Sequence, residues 1–148
     1  MRWGRPADEA GEIGGLDALV FGTAAFVVAL LAWVSAWRVL DAAQAASSAA
    51  DAGLAQALQA SRTSQARLLA TRAADEVLRT EGYAGLRPMV TLRGQLERCD
   101  RVEVTVSARV PLVRLPLFGS PATVEVQGRA GGLVDPFAPG LGGTDRCG

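Results

Sequence analysis

The amino-acid sequence predicts an α+β protein, in which a long N-terminal transmembrane α-helix continues outside the membrane and precedes a small antiparallel sheet of two to three strands. An uncharged apolar run, a proline-free helical stretch after it and two valine-rich segments of alternating polarity support this prediction. They divide the chain into a cytoplasmic leader (1–16), a transmembrane helix (17–38), its extracytoplasmic continuation (39–81), a small β head (82–136) and a flexible glycine-rich tail (137–148).

The apolar run covers twenty residues, Ala18 to Trp37, without a charge. About 20 such residues are what one helix needs to cross the hydrocarbon core of a bilayer. A cleaved signal peptide is the alternative, but its apolar core has only about 7–15 residues. Trp33, Trp37 and Arg38 are typical of the belt that a retained span places at the membrane interface. We therefore expect a retained anchor and a protein in contact with membrane lipid.

Arginines on either side of the run predict its orientation. Arg2 and Arg5 precede it and Arg38 follows it, so the positive-inside rule favours a cytoplasmic N-terminus. The head then lies on the extracytoplasmic side of the cell membrane. Cys99 and Cys147 can form a disulfide in that compartment, and two unrelated thiols are the alternative. Their spacing is not that of a zinc site.

The helix is expected to begin near Asp17, because Pro6, Gly11, Gly14 and Gly15 in the leader disfavour helix. At that point the Asp17 carboxylate would cap the free N–H groups of the first turn. Residues 39–80 contain no proline and one glycine, so one helix can run to Thr80. Breaks near residues 47–48 or 61–64 are the alternatives.

Small residues recur along this helix in steps of four and three, and we call these positions the small-residue seam. Thirteen of its 14 positions are Ala, Gly or Ser, against about seven expected from composition. A repeat of 3.5 residues keeps one seam facing a partner helix, and small side chains allow close approach within lipid. The positions are Ala18, Gly22, Ala25, Ala29, Ala32, Ala36, Val39, Ala43, Ala46, Ala50, Gly53, Ala57, Ala60 and Ser64.

The segments 101–110 and 122–127 alternate valines with polar residues, which is the pattern of half-buried strands. Between them, residues 111–121 contain three prolines and read as a loop. Residues 89–96 form a third strand or a short helix. Farther back, Leu54, Leu58, Leu69 and Val77 lie at near-helical spacing and are expected to form the face on which the head packs.

Two segments resemble a known family. In GGLDALVFGTAAFVVALL (14–31), small residues precede an acid and an apolar span. In residues 102–136, valine-rich strands flank a Pro-Leu-rich hairpin that closes on Val-Asp-Pro. Together they resemble the TadE-like pilus-assembly proteins of actinobacteria, which are type IV pilin-like.

The resemblance implies a pilin-like minor subunit or assembly factor of a Tad-type pilus or secretion apparatus. Its helix would contact other pilin-like subunits or the assembly platform, and Asp17 would neutralise the N-terminal amine of a neighbouring subunit. In the family, a Glu lies five residues after a Gly-ended leader. Here Asp17 is at the sixth position after Gly11, so leader cleavage remains open.

Composition restricts the chemistry. The chain has 15 basic residues, all arginine, and no histidine, which excludes His-dependent nucleophiles and Lys-dependent Schiff bases. We expect no enzyme activity, no cofactor, no metal and no small-molecule substrate. Scattered arginines at zero net charge also argue against nucleic acid as a partner. A membrane-tethered binding or sensor domain that does not polymerise is the alternative function.

Overall fold

The computed structural model describes residues 10–111, 123–143 and 146–147, with side chains from Asp17 onward. It confirms the α+β class, with a long N-terminal apolar helix and a small antiparallel sheet. The chain forms two compact units, residues 1–36 and residues 37–148, and we call the second unit the head. The elements are α1 (Ala10–Ala57), α2 (Thr63–Thr80), β1 (Met89–Arg93), β2 (Arg101–Pro111) and β3 (Thr123–Leu133).

Helix α1 begins at Ala10, so the prediction that the leader stays out of the helix is wrong for residues 10–16. A glycine costs about 1 kcal/mol in a helix interior. Once a helix has nucleated, however, each added residue gains one hydrogen bond, and the long run beyond Asp17 provides that nucleus. Asp17 therefore lies inside α1, and the prediction that it caps the helix N-terminus is wrong.

The uninterrupted helix predicted to Thr80 is also wrong, because the chain turns at residues 58–62. This turn lies close to the alternative break near residues 61–64. Because the chain reverses direction at this turn, Ala70 of α2 lies beside Gly53 of α1 and one face of α2 is buried. Four-residue spacing puts the members of that face in line: Ala66, Ala70, Ala74 and Leu78. An extended helix would have left them in water.

The sheet has the order β1-β2-β3, and both pairings are antiparallel. In the register, Val104 of β2 lies opposite Leu92 of β1 and Ala130 of β3. The predicted strand at 101–110 is therefore confirmed, and so is the strand predicted at 122–127 from Thr123 onward, since residue 122 lies outside the described residues. β3 continues to Leu133 because β2 offers partners along its whole length. The segment 89–96, for which a strand and a helix were both considered, is a strand as far as Arg93. The predicted loop 111–121 lies outside the described residues after Pro111.

The core of the head lies between the sheet and the helices. Val102, Val104 and Val106 are fully buried, whereas Glu103 and Thr105 are on the other face. Full burial of such a side chain stabilises the fold by about 1.5–3 kcal/mol. The predicted packing face is confirmed, since its members are partly buried against this core: Leu54, Leu58, Leu69 and Val77.

One contact between sheet and helix is made by backbone atoms. A methyl group at Gly128 of β3 would overlap the carbonyl group of Ala46 and the amide nitrogen of Ser47 in α1. Gly131, three residues farther along β3, meets nothing closer than 3.8 Å. Gly128 is therefore required by close approach of β3 to α1.

The C-terminal tail is held against the loop between β1 and β2. The Arg98 amide donates to the Gly142 carbonyl at 2.8 Å, and the Cys99 amide donates to the Val134 carbonyl at 3.1 Å. The Arg98 side chain also donates to the Ala138 carbonyl at 3.2 Å. These bonds hold the described tail residues against the loop between β1 and β2, and the flexibility of residues 137–148 stays a prediction.

Candidate functional site

The surface of α1 before the head is apolar and uncovered. Its most apolar 18-residue stretch contains no buried residue, and α1 is long and apolar enough to span a membrane. Phe21 is 74% exposed and Trp33 is 64% exposed. Contiguous apolar surface of this kind marks contact with a membrane or with another protein.

The small-residue seam has two environments. Its first six positions are exposed: Ala18, Gly22, Ala25, Ala29, Ala32 and Ala36. Within the head, Ala46, Ala50 and Ala57 are completely buried. The seam is therefore a packing surface in the head, and its partners there are the chain's own sheet and α2.

The other predicted residues of this helix are exposed as well. Asp17 lies seven residues after the start of α1 and faces solvent. Trp37 is 58% exposed, and Arg38 is exposed one residue later. Trp33, Trp37 and Arg38 thus lie within two turns of α1, at the end of the apolar run. Asp17 precedes all three by sixteen residues or more in the sequence.

A polar groove lies at the end of the head where α1 enters it, and we call this end the base. The groove is open and measures about 480 Å³. Arg38 and Asp41 of α1 line it together with Glu81 and Tyr83, which follow α2. The Tyr83 hydroxyl donates to Oδ2 of Asp41 at 2.7 Å. Further lining residues include Leu86, Val110 and Pro111.

The hydrogen bond between Tyr83 and Asp41 persists over a wide pH range. Burial, and after it the hydrogen bond to Asp41, raise the pKa of Tyr83 to about 12. The phenol is therefore protonated at neutral pH and remains a donor. Because Asp41 is on α1 and Tyr83 follows α2, this bond ties the two helices together at the base.

Cys99 and Cys147 lie at disulfide distance, with a Cα–Cα separation of 5.1 Å. The sequence left open a disulfide or two unrelated thiols, and the structure has the disulfide. Cys99 has a φ of 66°, a conformation that costs a residue other than glycine about 1–3 kcal/mol. The hydrogen bond of its amide to Val134 and the disulfide both hold it in place. The disulfide joins the tail to the end of the sheet opposite the base.

Sequence reasoning missed the groove. Asp41 and Tyr83 are 42 residues apart, and no motif links them. The one available signal is that Tyr83 is the only tyrosine of the chain, directly after the Glu81-Gly82 helix end. Over residues 10–111, 123–143 and 146–147 there is no group of three metal-ligating side chains.

Comparison of the chain with models of known families, with curated proteins and with solved structures found no match in any of the three.

Proposed function

We propose that this chain is a single-pass protein of the cytoplasmic membrane, with its N-terminus inside and its head outside. In this proposal it acts as a pilin-like minor subunit or assembly factor of a Tad-type pilus or secretion apparatus and catalyses no reaction. The observation that carries the proposal is the exposed half of the small-residue seam, from Ala18 to Ala36.

The buried half of the seam supports this reading. Gly53 lies so close to α2 that a methyl group there would be 3.2 Å from the Ala70 carbonyl oxygen. Small residues at these positions thus permit backbone contact within the head. The same spacing continues through the exposed half, where lipid removes the hydrophobic driving force and close packing drives helix association. Other pilin-like subunits or the assembly platform would supply the partner helix.

The fold agrees with a pilin-like protein in the order of its parts. An apolar N-terminal segment comes first, the following part of the same helix lies in the core of the head, and an antiparallel sheet completes that core. Asp17 would serve as the acid near the start of the span that meets an amine of a neighbouring subunit. An unpaired carboxylate at the bilayer edge is costly and favours such a partner.

Cross-linking in membranes tests the proposal. The described cysteines are both bonded, so an Ala32→Cys substitution introduces a single free thiol on the seam. We expect this thiol to cross-link the full chain to a second copy of the chain or to a partner subunit. Adding Ala25→Leu or Ala29→Leu should abolish the product, because a larger side chain separates the helices.

Ala24→Leu is the matched control. It makes the same change about 100° around the helix from Ala25, off the seam, and should leave the cross-link intact. Equal loss with Ala24→Leu, or no cross-link at all from Ala32→Cys, would favour the tethered domain that does not polymerise. A reporter fused after Gly148 tests the orientation, and cytoplasmic activity of that reporter would refute it.

A further inference from the structure

The groove at the base is lined by residues that closely follow the apolar run along the chain. Arg38 directly follows Trp37, the last residue of that run, and Asp41 is four residues after it. At about 1.5 Å per residue, Asp41 is on the order of 6 Å along the helix from Trp37. The headgroup layer on each side of a bilayer is on the order of 5–8 Å thick. If α1 spans the membrane as proposed above, the groove faces the headgroups.

The charges of the groove are of both signs and are not satisfied within the described part of the chain. The side chains of Arg38 and Glu81 form no ion pair or hydrogen bond with any described residue. Asp41 uses Oδ2 to accept the Tyr83 hydroxyl, which leaves Oδ1 available. The groove therefore offers one guanidinium and two carboxylates beside the apolar side chains of Leu86 and Val110.

A guanidinium beside two carboxylates favours some lipid headgroups over others. A guanidinium binds phosphate through paired hydrogen bonds, and carboxylates accept hydrogen bonds from an ammonium group. A choline headgroup has no N–H to donate, and an anionic headgroup without a cation would bring its phosphate next to Asp41 and Glu81. We propose that the groove binds the headgroup of a phospholipid that carries a primary ammonium, as phosphatidylethanolamine does, with Arg38 on its phosphate.

Lipid retention by the full chain tests this proposal. The protein is placed in nanodiscs with equal parts of phosphatidylethanolamine, phosphatidylcholine and phosphatidylglycerol, and the lipids that stay bound are identified by native mass spectrometry. We expect phosphatidylethanolamine to be retained about tenfold over each of the others, the effect of one charge-assisted hydrogen bond. Glu81→Gln removes one of the two carboxylates and should reduce this preference severalfold.

Glu76→Gln is the matched control, since it removes an exposed carboxylate from α2 outside the groove and should leave the preference unchanged. Equal retention of the three lipids by the wild-type chain, or an unchanged preference in Glu81→Gln, would overturn the proposal. The inference rests on the proposed anchoring, so cell membranes that contain the full chain are extracted with carbonate in parallel. Release of the chain refutes the anchor, whereas a chain that stays in the membrane without lipid preference refutes only the headgroup site.

Discussion

Substitution of Gly128 by alanine tests whether β3 and α1 meet through their backbones. The added methyl group would overlap the Ala46 carbonyl and the Ser47 amide nitrogen. These are backbone atoms in the middle of a helix, so no rotation of a side chain relieves the overlap. The helix and the strand must separate, and the neighbouring buried residues, which include Val126, lose contacts as a result.

The magnitude follows from overpacking. Inserting a methyl group into a well-packed core costs about 1–3 kcal/mol, and a rigid obstacle places Gly128→Ala near the upper end. Alanine also restricts the unfolded chain, which returns about 0.4–1 kcal/mol. The net loss is about 2 kcal/mol, a large part of the roughly 5–15 kcal/mol that stabilises a domain. For a head of this size, the melting temperature should fall by about 10 °C.

Thermal unfolding of the full chain in detergent, followed by circular dichroism, measures this loss. Gly131→Ala is the matched control, because the same methyl group on the same strand meets only ordinary contacts at 3.8 Å and beyond. Its melting temperature should equal the wild-type value or exceed it by up to about 5 °C, because alanine restricts the unfolded chain here as well. Equal melting temperatures for the two variants would refute the backbone contact at Gly128.

Two further predictions concern the two ends of the head. Cys147→Ser removes a link across 48 residues and should cost about 4 kcal/mol by the chain-entropy model; reductant should lower the wild-type melting temperature and leave the variant unchanged. Tyr83 is the only tyrosine, and the chain has no lysine, so Tyr83 is the side chain that titrates between about pH 10 and 12. The pKa of Tyr83 in the folded chain, about 12, exceeds the ordinary 10.0. Its contribution to the free energy of unfolding is therefore complete below pH 10 and is lost as pH rises to 12. Denaturant midpoints should show this loss in wild type and not in Tyr83→Phe.

The spacing of apolar residues predicted the strands and the packing face of the helix because it reflects directly which side chains are buried. The alternation of Val102, Val104 and Val106 with polar residues indicates a sheet with one covered face, and the structure covers that face. Leu54 and Leu58 were likewise predicted to face the core. In these segments local preference and tertiary packing favour the same conformation, which is why the sequence was sufficient.

Long-range packing decided the features that periodicity could not predict. Residues 58–62 carry no proline or glycine, and the turn there is explained by the burial of Ala66, Ala70 and Ala74 after the chain reverses. The groove depends on the bond between Asp41 and Tyr83, which only this reversal brings together. The helix start at Ala10 reflects extension from a stable neighbour, which single-residue propensities do not include.

In the head the seam contacts the chain's own sheet and α2, and the proposed function gives its exposed half a second kind of contact. A small side chain removes little apolar surface from water, so Ala46 and Ala50 stabilise the head less by their own burial than by allowing the sheet to approach α1. The requirement at Gly128 shows that this approach reaches the backbone. In lipid, close approach is the larger part of the stabilisation, because apolar burial no longer contributes. The exposed positions Ala25 and Ala29 thus have the side chains that a helix contact in the membrane requires, and leucine there should be more disruptive than at Ala24.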